Sequence, residues 1–332
     1  MFKITAYGVR PIEVEYFKKL NVYDYELNLV SDMLNHENAI ESKGSDAVLV
    51  RGTCVTDEEN LSKFKEWGIN YVFTRTVGYD HVDLTAADKL GIKVARVPGY
   101  SPYAVAELAM SMGVTLYRGI APAIVNTHNG NFKVENSYFS REIHSSTIGI
   151  IGLGKIGSTE AKLYKGMGAR VLSYSRRAST KAKEYAEMVS FEELIKESDI
   201  LSLHIPYVPG DNDNLIGKDE IAMMKDDAII INTARAQVVD TKAVTEALDN
   251  HTLGGYGTDV LVDEGSIFGK EFNNLSDLPN DDVIKLMSQY PNAIVTPHVG
   301  SFTEPALEDM ISISYKNFND VLNNGSSENE LN

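Results

Sequence analysis

The chain of 332 residues is expected to fold as α/β, in two doubly wound domains that each carry a parallel sheet. Three observations carry that expectation. Short apolar runs alternate with helix-like stretches along nearly the whole length. A glycine loop, GLGKIG, follows one such run, TIGII, and opens a helix. The length suits two domains, at roughly 100–200 residues each.

The elements follow in order. FKITAY reads as a strand and PIEVEYFKKL as a helix with a proline in its first turn. DAVLV is a buried-type strand, NLSKFKEWG a helix stopped by Gly68, and NYVFTRT and IKVARV two further strands. Residues 101–128, beginning SPYAVAELAMSMGVTLYRG, form the longest apolar helical stretch and read as a connector between two α/β units. From Thr147 a second unit begins, with strands TIGIIG, ARVLSYS, DILSLHIP, AIIINTA, GYGTDV and NAIVTP. Ser190 and Glu193 are spaced as a capping box, and Asp240 stands where an N-cap is wanted. A last helix is expected over about residues 303–322, and nothing local decides which unit it packs on. The final NNGSSENELN reads as disordered.

Composition excludes several function classes. The formal net charge is -16, which argues against nucleic acid and against an anionic membrane surface. No apolar run reaches the ~18–20 residues of a membrane-spanning helix. MFKITAYGV is too short an apolar run for a signal peptide. Cys54 is the sole cysteine, so no intramolecular disulfide forms, which suits a reducing cytoplasm; a lone Cys reads first as a small buried residue. His36, His81, His128, His144, His204 and His251 lack metal-ligand spacing, and no metal is expected.

In the glycine loop, Gly152 makes the tight turn, Gly154 lets a pyrophosphate approach, and Gly157 lets helix and strand pack closely. The helix N-terminus then offers free N–H groups to the anion. This points to NAD(P). About 20 residues on, where an NAD-type site carries an acid for the ribose 2′-hydroxyl, stand Ser175, Arg176 and Arg177. A carboxylate there would repel a 2′-phosphate, whereas Ser and Arg would bind it, so the segment favours NADP(H) over NAD(H). The alternative has both arginines in solvent and either cofactor used.

Hydride exchange with an oxo acid needs a cation for the carboxylate and carbonyl, and an acid for the carbonyl oxygen. Arg235 in INTARAQVVD, Asp259 and Glu264 in GTDVLVDEGSIF, and His298 in IVTPHVGSFT each follow an expected strand of the second unit. Ligands of doubly wound sheets bind beyond those strand ends. Taken singly, Arg235 fits a surface ion pair and His298 a packed loop histidine equally well.

The set GLGKIG, HIP, NTARAQVVDT, GYGTDV…DE and TPHVGSFT resembles the NAD(P)-dependent D-2-hydroxyacid dehydrogenases. The branch resembled includes D-lactate, D-2-hydroxyisocaproate and (R)-2-hydroxyglutarate dehydrogenases and the D-lactate-forming enzyme of vancomycin resistance. The likeness runs from MFKITAYGVR almost to the C-terminus, through TRTVGYDHVD and VPGYSPYAVAELA. It implies a Rossmann dinucleotide domain, residues 101–298, inserted in a flavodoxin-like substrate domain, residues 1–100 plus 299–332. It implies Arg235 for the substrate carboxylate and carbonyl, His298 as acid and base, and Glu264 as its partner. It implies Asp259 beside the nicotinamide carboxamide. It places Lys155, Ile156, Ser175, Ile205, Pro206, Asn212, Thr233 and Ala234 around the dinucleotide, and Val77, Gly78 and Tyr100 at the substrate; His204, which ends an expected strand, reads from its position as lining the cofactor cleft through backbone groups. It further implies a homodimer, a cleft that closes between domains, and an (R)-alcohol product. Two positions depart: Ala236 stands where the family has glycine, and Ser175 where NAD-type members have Asp.

Arg51, in VLVRGTCVT, stands in an RG-x-C setting similar to that of the (R)-2-hydroxyglutarate enzymes and is a candidate for a distal substrate carboxylate; the alternative is an exposed or ion-paired arginine. Arg75 is the more structural of the two. Two other functions fit the fold: a dinucleotide-sensing regulator without turnover, and a methyltransferase-like Rossmann protein. The joint presence of Arg235, Glu264 and His298 favours the dehydrogenase.

Overall fold

The structure is a computed structural model that describes residues 1–176 and 178–332, so the expectation placed on Arg177 lies outside the described residues. The chain first forms β1 (Lys3–Ala6), α1 (Val14–Lys19), β2 (Glu26–Leu29), β3 (Ala47–Val50), α2 (Glu58–Glu66), β4 (Tyr71–Thr74) and α3 (Leu84–Leu90). Helices α4 (Pro102–Tyr117) and α5 (Ile120–His128) follow. Next come β5 (Thr147–Ile151), α6 (Lys155–Gly166), β6 (Arg170–Tyr174), β7 (Glu187–Met188), α7 (Phe191–Glu197), β8 (Ile200–Leu203), α8 (Lys218–Met223) and β9 (Ile229–Asn232). The chain ends with α9 (Thr241–Asp249), β10 (Gly255–Thr258), α10 (Glu264–Ile267), α11 (Asp281–Ser288), β11 (Ala293–Val295) and α12 (Glu304–Asn324).

Two compact units result, one of Met1–Ser101 with Phe302–Asn332 and one of Pro102–Ser301. The first carries a parallel sheet of order β2-β1-β3-β4. Alternation along AVLV sends Val48 and Val50 to the face packed with Leu61 and Phe64 of α2, and Leu49 to the other. That second face is covered by α12, whose Phe318 ring stacks on Phe73 at 4.4 Å between centroids. The last helix therefore returns to the first unit.

The second unit carries a parallel sheet of order β11-β10-β9-β8-β5-β6-β7. Its strand order reverses between the neighbours β5 and β8, which makes that pair the switch point where such sheets bind ligands. Both helices expected to be capped are: the Ser190 hydroxyl accepts from the Glu193 N–H, and Asp240 accepts from Lys242 and Ala243.

Several expectations are corrected. The 101–128 helix is two helices bent by 67°, because Gly119 takes a left-handed conformation (φ 57°) that ends α4 and begins α5. IKVARV forms no strand; Lys93 and Ala95 make isolated bridges to Tyr71 and Glu330. The last residues are ordered. Leu331 donates to the Val94 carbonyl, Arg96 to that of Asn329, and the Asn332 side chain to that of Ile92, so the tail takes up the hydrogen bonds of segment 92–96. Strands β2 and β7, not expected from the sequence, are short edge strands bearing charge. No single helix among the described residues is long and apolar enough to cross a membrane.

Candidate active site

The glycine loop turns directly out of β5 into α6. Gly152 lies at φ +94°, and a Cβ there would come within 2.5 Å of the His204 carbonyl oxygen and 2.7 Å of Ile205. A Cβ on Gly157 would collide with the carbonyl of Gly152. Open space lies over Gly154, the N-cap of α6. Two glycines are thus required by packing and the third leaves its backbone accessible, at a helix end whose first N–H groups have no intrahelical acceptor. This cradle suits a pyrophosphate, and Lys155 and Ile156 supply its first helical residues.

Beyond β8, Ile205 and Pro206 begin a loop that Asn212 holds. Its Nδ2 donates to the Pro206 carbonyl at 2.8 Å, and its Oδ1 accepts from the Val208 N–H at 2.7 Å. His204 holds its place through its side chain as well as its backbone, its Nε2 lying 2.5 Å from a carboxylate oxygen of Glu160. Beyond β6, Ser175 leads into Arg176, an exposed residue whose guanidinium pairs with Asp211 at 3.2 Å.

Beyond β9, the fully buried Asn232 organises the next turn. It accepts from the Ala234 N–H at 3.0 Å and donates to the Arg235 carbonyl at 2.9 Å. Sequence reasoning missed this asparagine, although a polar residue closing an AIIIN run is a visible signal. Thr233 carries a buried hydroxyl with no partner in the protein, a polar atom suited to a bound ligand. Arg235 is extended and half-buried. Ala236 opens a 3-10 turn, a right-handed backbone that accepts its Cβ without strain.

Beyond β10 and β11 two segments meet. Glu264 starts α10 directly after Asp263, which sits in the left-handed region at φ +58°. His298 is also left-handed, at φ +53°, and its Nδ1 lies 3.0 Å from Glu264 Oε1. Such a conformation is uncommon for a residue other than glycine and must be held by its surroundings. Asp259, nearly fully buried, supplies the hold. Its Oδ1 accepts from the Thr296 hydroxyl at 2.6 Å and the Val299 N–H at 2.8 Å, and its Oδ2 from the Gly300 N–H at 2.8 Å. Burial raises the Asp259 pKa; these hydrogen bonds and nearby His298 oppose that push without cancelling it. Strands β9, β10 and β11 are adjacent and parallel, so Arg235, Glu264 and His298 leave the same edge of the sheet.

Four other expected site residues belong to the first unit. Val77 and Gly78 follow β4; their carbonyls accept from Arg96 and from the Thr76 hydroxyl. Tyr100 lies near the end of that unit's first segment. Arg51 follows β3 and is half-buried beside Arg10, Arg75 and Glu13. Arg75 is wholly buried and structural, donating to Glu13 at 2.8 Å and to the Gly8 carbonyl at 2.8 Å. The other Glu13 oxygen takes Arg10 at 3.3 Å. Both Glu13 oxygens are therefore committed, and among the described residues no carboxylate lies within ion-pair distance of Arg51. Burial, with the like charges of Arg75 and Arg10, pushes the Arg51 guanidinium down to about 10. Cys54 is a core residue; burial raises its thiol, and its sulfur accepts from the Arg51 and Leu34 N–H groups.

Comparison with known proteins agrees with this geometry. Residues 110–300 match the model of the D-isomer specific 2-hydroxyacid dehydrogenase NAD-binding domain. An aromatic 2-oxoacid reductase of Clostridium sporogenes is 34% identical over 330 residues, covering 99% of this chain and 98% of the relative. The D-lactate dehydrogenase of Escherichia coli is 33% identical over 331 residues, covering 99% of both. The solved structure of D-lactate dehydrogenase with NAD+ from Lactobacillus jensenii superposes with a TM-score of 0.84 at 35% identity, covering 98% of each chain. The chain belongs to the D-isomer specific 2-hydroxyacid dehydrogenases, oxidoreductases that use NAD(P) to interconvert 2-oxo acids and D-2-hydroxy acids.

Proposed function

We propose that His298 is the acid and base of this reaction, Glu264 the carboxylate that orients it, and Arg235 the cation that takes the substrate carboxylate and polarises the 2-oxo group. The observation that carries the reading is the 3.0 Å contact of His298 Nδ1 with Glu264. With Nδ1 engaged, Nε2 is the nitrogen left to hand a proton to the substrate oxygen during reduction and to take it back during oxidation. Reduced nicotinamide, when bound, supplies the hydride. Arg235 suits the acid because a planar guanidinium meets both carboxylate oxygens at once. Val77, Gly78 and Tyr100 are proposed to contact the substrate. A regulator that only senses dinucleotide has no need of the His298–Glu264 pair.

For the dinucleotide we propose Gly152, Gly154, Lys155, Ile156 and Gly157 at the pyrophosphate, and His204, Ile205, Pro206, Asn212, Thr233 and Ala234 along its length. Asp259 is proposed beside the nicotinamide carboxamide, since its Oδ2 accepts one bond and keeps acceptor capacity. Ser175 and Arg176 favour NADP(H); a 2′-phosphate would compete with Asp211 for the Arg176 guanidinium. Arg51 is proposed to hold a second substrate carboxylate, its charge being unmatched by Glu13.

A homodimer is proposed as well. Ile124, Phe132, Val134 and Phe139 are all largely exposed within one stretch of chain, a density of apolar surface that favours a partner. Sedimentation equilibrium should give twice the chain mass. A cytoplasmic location is proposed from the lone, buried cysteine.

The deciding experiment measures initial rates with NADH and NADPH in parallel against pyruvate, 2-oxoisocaproate, phenylpyruvate and 2-oxoglutarate. Turnover that is fastest with NADPH and 2-oxoglutarate supports the full reading. Preference for NADH removes the Arg176 assignment alone. Absence of turnover with every pair would put the sensor reading first.

A further inference from the structure

Glu160 lies on α6, one turn beyond Gly157 and on the face that meets the sheet. It is 0% exposed. Its Oε2 lies 2.5 Å from His204 Nε2, and its Oε1 has no partner in the protein. The His204 side chain is 2% exposed, and Nε2 also lies 3.2 Å from the Ser202 hydroxyl. Tyr164, buried one turn further along α6, is the other titratable group near this carboxylate; its hydroxyl donates to the Met110 carbonyl.

His204 is therefore gripped at three places. Its N–H donates to the Ile151 carbonyl at 2.8 Å, tying it to the end of β5. Its carbonyl fills the space that a side chain on Gly152 would need. Its imidazole is held by α6 through Glu160. The first two contacts belong to the backbone; the third is specified by one side chain.

A buried carboxylate with an idle oxygen is a costly way to fasten a helix to a sheet. Apolar residues of similar volume at two such positions are as stabilising, often more so. What the pair supplies is a fixed distance. It sets the first turns of α6, which would receive the pyrophosphate, against Ile205 and Pro206, which would lie along the rest of the dinucleotide. We infer that Glu160 is a positioning residue for cofactor binding, acting through His204 to hold the Ile205–Pro206 segment in register with the glycine loop. This rests on the dinucleotide reading of that loop.

The test uses Glu160→Met, which keeps the volume and loses the bond, and Glu160→Gln, which keeps a hydrogen-bonding end. Dissociation constants for NADH and NADPH would be measured by fluorescence titration without substrate, beside KM, kcat and thermal unfolding. Loss of one charge-assisted hydrogen bond predicts a dissociation constant raised about tenfold in Glu160→Met. KM for the cofactor should rise with it, while kcat at saturating cofactor and KM for the oxo acid change less than about twofold. Glu160→Gln should recover most of the affinity. Unchanged cofactor affinity in a folded Glu160→Met would overturn the proposal. So would equal losses in both variants that follow their melting temperatures. A wild-type protein that binds neither dinucleotide would remove the dinucleotide reading itself, a different result from either.

Discussion

Asp259 accepts three hydrogen bonds from the segment 296–300 and thereby holds His298, at φ +53°, with its Nδ1 3.0 Å from Glu264. In the proposed acid and base role, a histidine held this way would present the same nitrogen in each turnover. His298→Ala is expected to lower kcat by about 10²–10⁴-fold, the usual worth of a positioned acid or base, with little effect on cofactor affinity. Glu264→Gln keeps the shape and removes the charge, so its loss should be smaller. Steady-state rates with a cofactor titration decide it; near-normal turnover of His298→Ala removes the residue from the mechanism.

Arg176 is exposed and already paired with Asp211. An exposed pair is worth only about 0–1 kcal/mol, so a 2′-phosphate can displace it. Arg176→Ala should lower kcat/KM for NADPH and leave NADH within about twofold, since only one of the two carries the phosphate. Asp211→Asn should do the reverse and improve NADPH. Equal losses with both cofactors in Arg176→Ala would make the residue structural.

The buried pair of Glu13 and Arg75 gives a stability prediction. Burial pushes the Glu13 carboxyl up, but Arg75 and the hydrogen bonds from Arg75 and Arg10 overcome this and leave it below the usual carboxylate range. A group with a depressed folded-state pKa contributes stability that is complete above its unfolded value and is lost as pH falls through the folded one. Glu13→Gln should abolish that acid-side decline. It also strands a buried guanidinium, at a loss of about 3–5 kcal/mol near neutral pH. Urea unfolding of both proteins from pH 3 to 7 checks both statements; parallel curves would show that the pair contributes nothing linked to protons.

What the sequence discloses follows from how local each signal is. Six of the seven strands of the second unit and the glycine loop are legible because apolar runs and glycine spacing are set within a few residues. Gly119 was visible in TLYRGIAP, yet the apolar pattern on either side of it reads as one helix, and only its left-handed backbone divides them. The tail shows the converse. NNGSSENELN has no apolar pattern, and its order comes from the backbone groups of residues 92–96 that face away from β4, more than two hundred positions away. In the site, Arg235, Glu264 and His298 were legible as residue types that follow strands. The support of His298 by Asp259 and the tie between Glu160 and His204 were not, since each joins elements that only the folded sheet brings together.

The proposed role of Arg51 in choosing which acid is reduced rests on its surroundings. Its guanidinium lies beside two other arginines, and the nearby carboxylate of Glu13 is spent on Arg10 and Arg75. A half-buried cation in that setting gains from an anion brought by a ligand. With burial and like charges lowering it only to about 10, Arg51 stays protonated at neutral pH. A charge-assisted bond of about 1.5–3 kcal/mol corresponds to roughly 10- to 150-fold in kcat/KM. Arg51→Leu should therefore lose that factor with 2-oxoglutarate and keep or improve its rate with 2-oxoisocaproate, whose distal end is apolar. The pH dependence has a definite sign. As pH rises toward 10 the cation is lost, so the ratio of 2-oxoglutarate to 2-oxoisocaproate efficiency should fall in the wild type and stay flat in Arg51→Leu. The ratio cancels every group that acts on both substrates alike. If Arg51→Leu loses both activities equally, or if the wild-type ratio does not move with pH, the arginine serves the fold and the substrate carries a single carboxylate.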